Sequence, residues 1–559
     1  MTSMATLTAA GELRATATLH SWIGNREVEG RAGRRGAVSP ATGLTFAETS
    51  LLDAEQAASA MAAAQAAFPA WSGLSFGERR KALLRLRAAV LEEADDIARL
   101  IAQEQGKPAA EAIAVEIFPA LEALKHLALR AEDVLREDAV ESEVLLFAHK
   151  ECRLLYAPLG VVLVITPWNY PFAISLSGVT TALAAGNTVV LKPAPATALV
   201  GLRVGALCRK AGIPDGVVNV VSVDDALAPA LVEDPRVAKV VFTGSVATGK
   251  RVMVSAARNL TPVILELGGK DPAVVCADAD LDRAARGVVW GAFVNCGQTC
   301  ASVERVYVQK AVAEPFIARV VEETRKLRMG DPAGGEVELG PLTLERQRRI
   351  VDEHVEEAKA KGARALTGGA RPPGPGYFYP PTVLTGVDHS MRVMREETFG
   401  PVLPIMAVES VDEAIALANE SEYGLTASGW TRDPATARRL QERLAAGVVT
   451  INDCVSSYGE PTAPWGGIKK SGFGRTHGLA GLREMVQVKY VTTDRSRRPA
   501  LWWFPYGAAY QRLMEVSNRA LHGSSLWMRL RNQVALARFS RFWRRVDLGS
   551  LLKNIDKLV

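Results

Sequence analysis

The sequence predicts an α/β protein built on parallel sheets covered by helices, and two observations carry that expectation. From about Leu154 onward, short runs rich in β-branched residues, each ended by Gly, Pro or Asn, alternate with helical stretches. Ahead of them, from about Asp53 to Leu135, apolar residues recur at helical spacing with charged residues between them.

Taken in order, the Ala- and Leu-rich runs AEQAASAMAAAQAAF and RRKALLRLRAAVLEEADDIARLIAQEQ are expected to form amphipathic helices. LLYAPLGVVLVITPW, AAGNTVVLKPA, GVVNVVS and VAKVVFTGS follow as strands separated by helices. A second strand–helix series is expected to begin near PVILELGG. It continues through DPAVVCA and RVYVQKAVAEPFIARVVEETRKL to GVVTIND. No internal repeat is visible.

With 559 residues, 48% hydrophobic and 23% charged, the chain has ordinary globular composition and is too long for one core, so two or three domains are expected. Apart from one close pair, its six cysteines are scattered, which argues for a reducing, cytoplasmic compartment rather than a disulfide framework. The start, MTSMATLTAAGELRATATLHSW, lacks the pattern of a signal peptide, and nowhere do 18 apolar residues follow one another. Of the net charge of +5, residues 495–559 contribute thirteen Arg and Lys against three Asp and Glu. The first 494 residues are therefore mildly acidic, at −5, and nucleic acid is not expected as a ligand.

Four places carry chemistry. VVFTGSVATGKR, residues 240–251, reads as a strand, a Gly-bounded turn and a helix, which aims backbone N–H groups at a phosphate. A plain strand-to-helix turn is one reading. The phosphate loop of NTPases is another, but Arg251 stands where that loop needs a hydroxyl. Dinucleotide pyrophosphate fits better, although the G-x-G-x-x-G fingerprint is absent. VNCGQTCAS, residues 294–302, holds Cys296 and Cys300. A zinc site would need a second pair of ligands that the chain lacks, so no metal is expected. Cys296 reads as structural. Cys300, among Gly297, Thr299 and Ser302 and ahead of a strand, is expected to be exposed and partly ionised, as a nucleophile must be. Glu266 ends an apolar strand one residue before two glycines and is either a general base or a cap or ion-pair partner. Asn169, between Trp168 and Tyr170, is either a turn residue or an oxyanion donor.

These pieces together resemble the aldehyde dehydrogenase superfamily, from about Arg26 to Val491. Seven stretches in order carry the resemblance: TPWNYP, GNTVVLKPA, FTGSVATGK, LELGGKDP, NCGQTCAS, EETFGPV and PWGGIKKSGFGR. The resemblance implies a Rossmann-type NAD(P)-binding domain (1–135 and 154–264), an α/β domain bearing the thiol (265–475), and bridging, oligomerising strands (136–153 and 476–494). A basic, Trp-rich extension (495–559) follows. The family's lack of the usual glycine fingerprint accounts for its absence here.

By position, the resemblance makes Cys300 the nucleophile, Glu266 the base that activates the hydrolytic water, and Asn169 with the Cys300 backbone N–H the oxyanion donors. The implied reaction is oxidation of an aldehyde to the acid through a thiohemiacetal and a thioester, and the retained Glu266 favours hydrolysis over acyl transfer to coenzyme A. Lys192 matches the residue that meets the adenosine ribose, Gly244, Ser245 and Gly249 the pyrophosphate turn and its helix, and Glu397 with Phe399 the nicotinamide ribose and ring. Thr166, Pro167 and Trp168 match the cofactor cleft. Many NAD-preferring members have a Glu three residues after that lysine, and here Pro195 stands there, so the expectation is NAD or NADP with a lean to NAD. Aliphatic or aromatic aldehydes are the expected substrates. Succinate semialdehyde is the alternative, and a catalytically silent homologue the rival of another class. A homodimer or homotetramer is expected.

After Val491 the family pattern ends. Trp502, Trp503, Trp527 and Trp543 lie among arginines, a composition suited either to an anionic membrane surface or to a helical arm packed on protein. From Trp527 to Arg545 a helical projection puts Arg531 and Arg538 on the face of Trp527 and Val534.

Overall fold

A computed structural model describes residues 17–144, 147, 149–497, 499–500 and 502–537. Most of the N-terminal stretch read for a signal peptide, and Arg538, Trp543 and Arg545, lie outside them. The chain divides into two units, residues 1–134 with 158–486 and residues 135–157 with 487–559.

The first unit contains an eight-stranded and a seven-stranded sheet. In the eight-stranded sheet, Val263–Glu266, Val237–Thr243, Val161–Ile165, Thr188–Lys192 and Val218–Val220 run parallel side by side. VVLVI and TVVLK are buried at every position, as strands covered on both faces must be. Ser21–Ile23 and Arg26–Val28 extend one edge antiparallel, and Gly472–Phe473 closes the other. The expected helices form, and Asp53 with Gln56 and Ser75 with Glu78 start two of them as capping boxes.

One expectation is corrected here. PVILE does not open the second series: Val263–Glu266 pairs parallel with Val237–Thr243 in the first sheet, where its apolar residues pack against the Val240 and Phe242 core. The seven-stranded sheet begins one strand later, at Asp271–Val275. It runs Arg364–Thr367, Thr382–Thr385, Val402–Val408, Val303–Gln309, Asp271–Val275, Thr426–Trp430, Val448–Ile451, and is parallel except for its first pair. Helix Leu281–Phe293 lays Ala284, Ala285, Val288, Val289, Ala292 and Phe293 on it and leads directly into the Asn295–Cys300 loop.

Parallel pairing brings the carboxyl ends of neighbouring strands to one edge. Thr166 to Asn169, Lys192, Gly244 with Ser245, and Glu266 all stand at or just beyond such ends.

In the second unit, strands Val486–Thr493, Glu151–Pro158 and Asp138–Val140 form a three-stranded sheet. His149 pairs with Asp494 at 3.1 Å and Arg495 with Glu151 at 3.0 Å. Helices Ala508–His522 and Leu526–Ala537 follow.

Candidate active site

The thiol loop starts with two residues in the left-handed region, Asn295 (φ 55°) and Cys296 (φ 54°), and Gly297 (φ 71°) continues it. Two successive non-glycine residues in that region are sparsely populated and need support from their surroundings. Side chains supply it. Gln105 Nε2 donates to Asn295 Oδ1 (2.9 Å), Asn295 Nδ2 donates to the Asn169 and Gln298 carbonyls (2.8 and 3.0 Å), and Gln298 Nε2 donates to the Asn295 carbonyl (3.0 Å). Gly297 passes so close to Gly400 that a Cβ would lie 2.2 Å from its carbonyl oxygen. Cys296 is buried against Tyr307 and Val351, in a core and not at a surface.

Cys300 is half-buried, against Ala301, Leu425 and Trp465. The expectation of an exposed thiol is therefore corrected. Burial, together with the carboxyl groups of Asp271, Glu266 and Glu397, pushes its pKa up. Gly269 crowds its backbone: a Cβ on Gly269 would sit 2.5 Å from the Cys300 carbonyl oxygen.

Glu266 is buried, and neither carboxylate oxygen has a hydrogen-bond partner of good geometry in the protein. Burial raises its pKa well above the usual carboxylate range, with the Arg475 charge and the Trp465 indole opposing in part. A carboxyl left unpaired beside a thiol is available for proton transfer rather than fixed in an ion pair. Asn169 is buried too, and its amide donates to the Gln298 carbonyl (2.9 Å), which leaves one N–H of that amide for another acceptor.

A buried lysine ties the Asn169 loop down. Lys107 Nζ donates to Glu116 and to the Asn169 carbonyl (3.0 Å) and lies 3.8 Å from the Tyr170 ring centroid, while Glu116 accepts from the Phe172 and Ala173 backbone N–H groups. Lys107→Met strands the Glu116 charge in the interior, and we expect it to lower stability by about 3–5 kcal/mol. The urea midpoint reads the loss, and an unchanged midpoint would mean that the pair does not pin the loop.

On the cofactor side, Ser245 caps helix Val246–Ala257, and Gly249 is buried on the same helix. Trp168 and Phe399 (φ 51°) meet edge to face at 5.4 Å. Glu397 accepts from the Gly269 backbone N–H (3.0 Å), and burial beside Glu304 lifts its pKa to about 8. Glu304, in the strand that follows the thiol loop, accepts from the Thr398 and Phe399 N–H groups (2.8 and 2.9 Å) and pairs with buried Lys270 (2.6 Å), which joins that strand to the LELGGKDP and EETFGPV stretches. Lys192 Nζ pairs with exposed Asp225 at 2.9 Å. Thr166 Oγ1 shares a hydrogen bond with Ser175, and Pro167 follows at the same strand end. A helix N-terminus, a lysine and small turn residues at adjacent carboxyl ends of parallel strands suit an anionic dinucleotide.

Cys300 and Glu266 line one cavity with Ile174, Ser177, Gly178, Thr181, Tyr458, Trp465, Thr476 and Met485. A neighbouring cavity shares Ser177 and Tyr458 and adds Pro119, Ala120, Ala123, Ala173, Pro461 and His477. Among the described residues, no lysine or arginine lines either. Burial lowers the pKa of His477 to about 4, so it is neutral at physiological pH, and its Nε2 lies 3.2 Å from Ser177 Oγ. Sequence reasoning missed Tyr458, Ser177, His477, Lys107, Glu304 and Asp225. Only Trp465 lay in a quoted motif.

Comparison with known proteins agrees with this geometry. Residues 28–491 match the profile of the "Aldehyde dehydrogenase family". The 4,4'-diapolycopene aldehyde oxidase of Methylomonas sp is 42% identical over 84% of this chain and 88% of its own. A probable NADP(+) succinate-semialdehyde dehydrogenase of Sinorhizobium fredii is 37% identical over 83% and 94%. Among solved structures, an NAD-dependent aldehyde dehydrogenase from Sinorhizobium meliloti superposes with a TM-score of 0.84 at 36% identity, covering 88% of this chain and 97% of its own. The paired α/β sheets, the half-buried thiol and buried carboxyl in one cavity and these matches lead to one conclusion: the chain belongs to the aldehyde dehydrogenase family and is an NAD(P)-dependent aldehyde dehydrogenase.

Proposed function

We propose that the enzyme oxidises uncharged, apolar aldehydes, aliphatic or aromatic, to their acids, with Cys300 as nucleophile, Glu266 as general base and Asn169 as oxyanion donor. The observation that carries this reading is the cavity: thiol and carboxyl face one space whose lining is apolar or neutral. An acidic semialdehyde would need a fixed cation there to offset the desolvation of its carboxylate, so the lining weighs against the succinate-semialdehyde alternative. The name of the Methylomonas relative, an oxidase of 4,4'-diapolycopene aldehyde, fits an apolar channel.

In this reading Cys300 loses its S–H proton to solvent, its sulfur attacks the aldehyde carbon, and the free Asn169 N–H with the Cys300 backbone N–H holds the oxyanion. Glu266 then takes a proton from the water that cleaves the Cys300 thioester. The nicotinamide, when bound, supplies the hydride acceptor and a positive ring charge beside the thiol. The eight-stranded sheet serves the cofactor, the seven-stranded sheet carries the thiol, and the strands of the second unit bridge subunits of a homodimer or homotetramer. Six unpaired cysteines suit a reducing, cytoplasmic setting.

For the cofactor, Asp225 supplies the negative charge that Pro195 does not, at the lysine expected to meet the ribose. A 2′-phosphate there meets a carboxylate, which favours NAD. The test is NAD(P)H production with hexanal, dodecanal, benzaldehyde and succinate semialdehyde, using each cofactor. Highest kcat/KM on the apolar aldehydes with NAD is expected, and Asp225→Asn should raise the NADP-to-NAD ratio about five- to tenfold. A preference for succinate semialdehyde, or a ratio unmoved by the substitution, would count against the respective part.

A further inference from the structure

The second unit ends in a surface that the oxidation chemistry does not use. In helix Leu526–Ala537, Leu526, Trp527, Leu530 and Val534 are all exposed, Trp527 by 69%, and their spacing places them on one side of the helix. The turn that precedes the helical pair exposes three more aromatic side chains, Trp503, Phe504 (80%) and Tyr506. Soluble surfaces seldom gather this much apolar area without a partner.

The charges near these side chains in sequence are mostly of one sign. Between residues 502 and 534 stand Arg512, Arg519, Arg529 and Arg531 with the single acid Glu515, in a chain whose first 494 residues carry a net negative charge. The Arg531 guanidinium lies 5.5 Å from the Trp527 ring centroid, so that cation and ring share one site at the edge of the apolar stripe. The arginine on the tryptophan face, which in the sequence spoiled an amphipathic sorting, thus sits where an interfacial helix places its basic residues. Among the described residues no helix is long and apolar enough to cross a membrane.

We propose that this turn and helix form a docking face for an anionic lipid surface, on which the helix lies in the plane of the headgroups with Trp503, Phe504, Trp527 and Leu530 inserted. A second copy of the chain is the poorer occupant. Self-pairing of the face would set Arg529 and Arg531 of one copy against those of the other, with no acid in that turn or helix to offset them. Anionic headgroups neutralise the same arginines, and interfacial acyl chains take up the aromatic rings. The proposal is independent of which aldehyde the enzyme oxidises.

Co-sedimentation of the full chain with phosphatidylcholine vesicles, with and without phosphatidylglycerol, tests it. Binding to the phosphatidylglycerol vesicles is expected to be more than about tenfold stronger and to weaken as salt is raised. Arg529→Gln with Arg531→Gln should weaken it about fivefold per arginine, and Trp527→Ser with Leu530→Ser should abolish most of it, while turnover of hexanal in both variants stays at the wild-type rate. Absence of binding, or equal binding to both vesicles, would overturn the proposal. So would unchanged vesicle binding by the Trp527/Leu530 variant accompanied by a change of oligomeric state in light scattering, which would identify the face as a contact between copies.

Discussion

Cys300→Ala is expected to lower steady-state aldehyde oxidation by about a thousandfold or more, since removing a nucleophile leaves only binding and electrostatic contributions to rate. The fold should be kept: Cys300 is half-buried, and the change removes one sulfur from a cavity wall rather than from a packed core. Cys296→Ala is the control. Its thiol lies buried in the core beside Tyr307 and Val351, so the substitution is expected to lower stability and leave kcat nearly unchanged. Initial-rate kinetics on the two variants separates the cysteines, and a large fall in kcat for Cys296→Ala alone would reverse the assignment. The raised pKa of Cys300 adds a condition. Burial and the nearby carboxyl groups push its pKa up, so alkylation by iodoacetamide near neutral pH should be slower than that of an exposed free thiol.

Glu266→Gln is expected to separate the two halves of the reaction. Attack and oxidation do not consume the carboxylate, but hydrolysis of the thioester needs a base, and loss of a general base typically costs about a hundred- to ten-thousandfold in rate. Stopped-flow absorbance should then show a burst of about one NAD(P)H per active site followed by a slow steady state. The pH dependence has a definite sign. Burial holds the Glu266 pKa well above the ordinary carboxylate range, so the basic form gains population as pH rises, and wild-type turnover should climb with pH above that range. In Glu266→Gln that climb should vanish from the slow phase. A variant that lost the burst as well would place Glu266 in the first half of the reaction instead.

The fold was legible in the sequence because parallel strands buried on both faces read as unbroken β-branched runs. VVLVI and TVVLK are such runs, and both form the strands expected of them. PVILE was misassigned to the second sheet because periodicity reports that a strand is buried but not which neighbour it pairs with; that depends on the Val240 to Val263 register, a long-range fact. Cys300, Glu266 and Asn169 could be singled out because glycines or strand ends surround them, whereas Lys192, Glu397 and Phe399 were reached only through the family resemblance of their motifs.

Their supports could not be named. Lys107 and Glu116 lie in an ordinary-looking helical run, and only the tertiary fold brings them under the Asn169 loop. Glu304 reads as a charge inside a strand until Thr398 and Phe399 donate to it. Tyr458 and His477 come from loops with no periodicity, and they meet Ser177 only where two cavities join. The expected exposure of Cys300 failed for a related reason. Small polar neighbours in sequence suggest exposure, whereas the tertiary fold half-buries the thiol and pushes its pKa up.

The central claim, that Cys300 carries the acyl group and Glu266 releases it, is tested most directly by mass spectrometry of Glu266→Gln mixed with hexanal and NAD(P) and quenched within the burst. The account predicts one hexanoyl adduct per chain, mapped to the peptide containing Cys300 and absent when Cys300 is also replaced by Ala. An adduct on Cys296, or a full burst of NAD(P)H with no adduct on the protein, would contradict it.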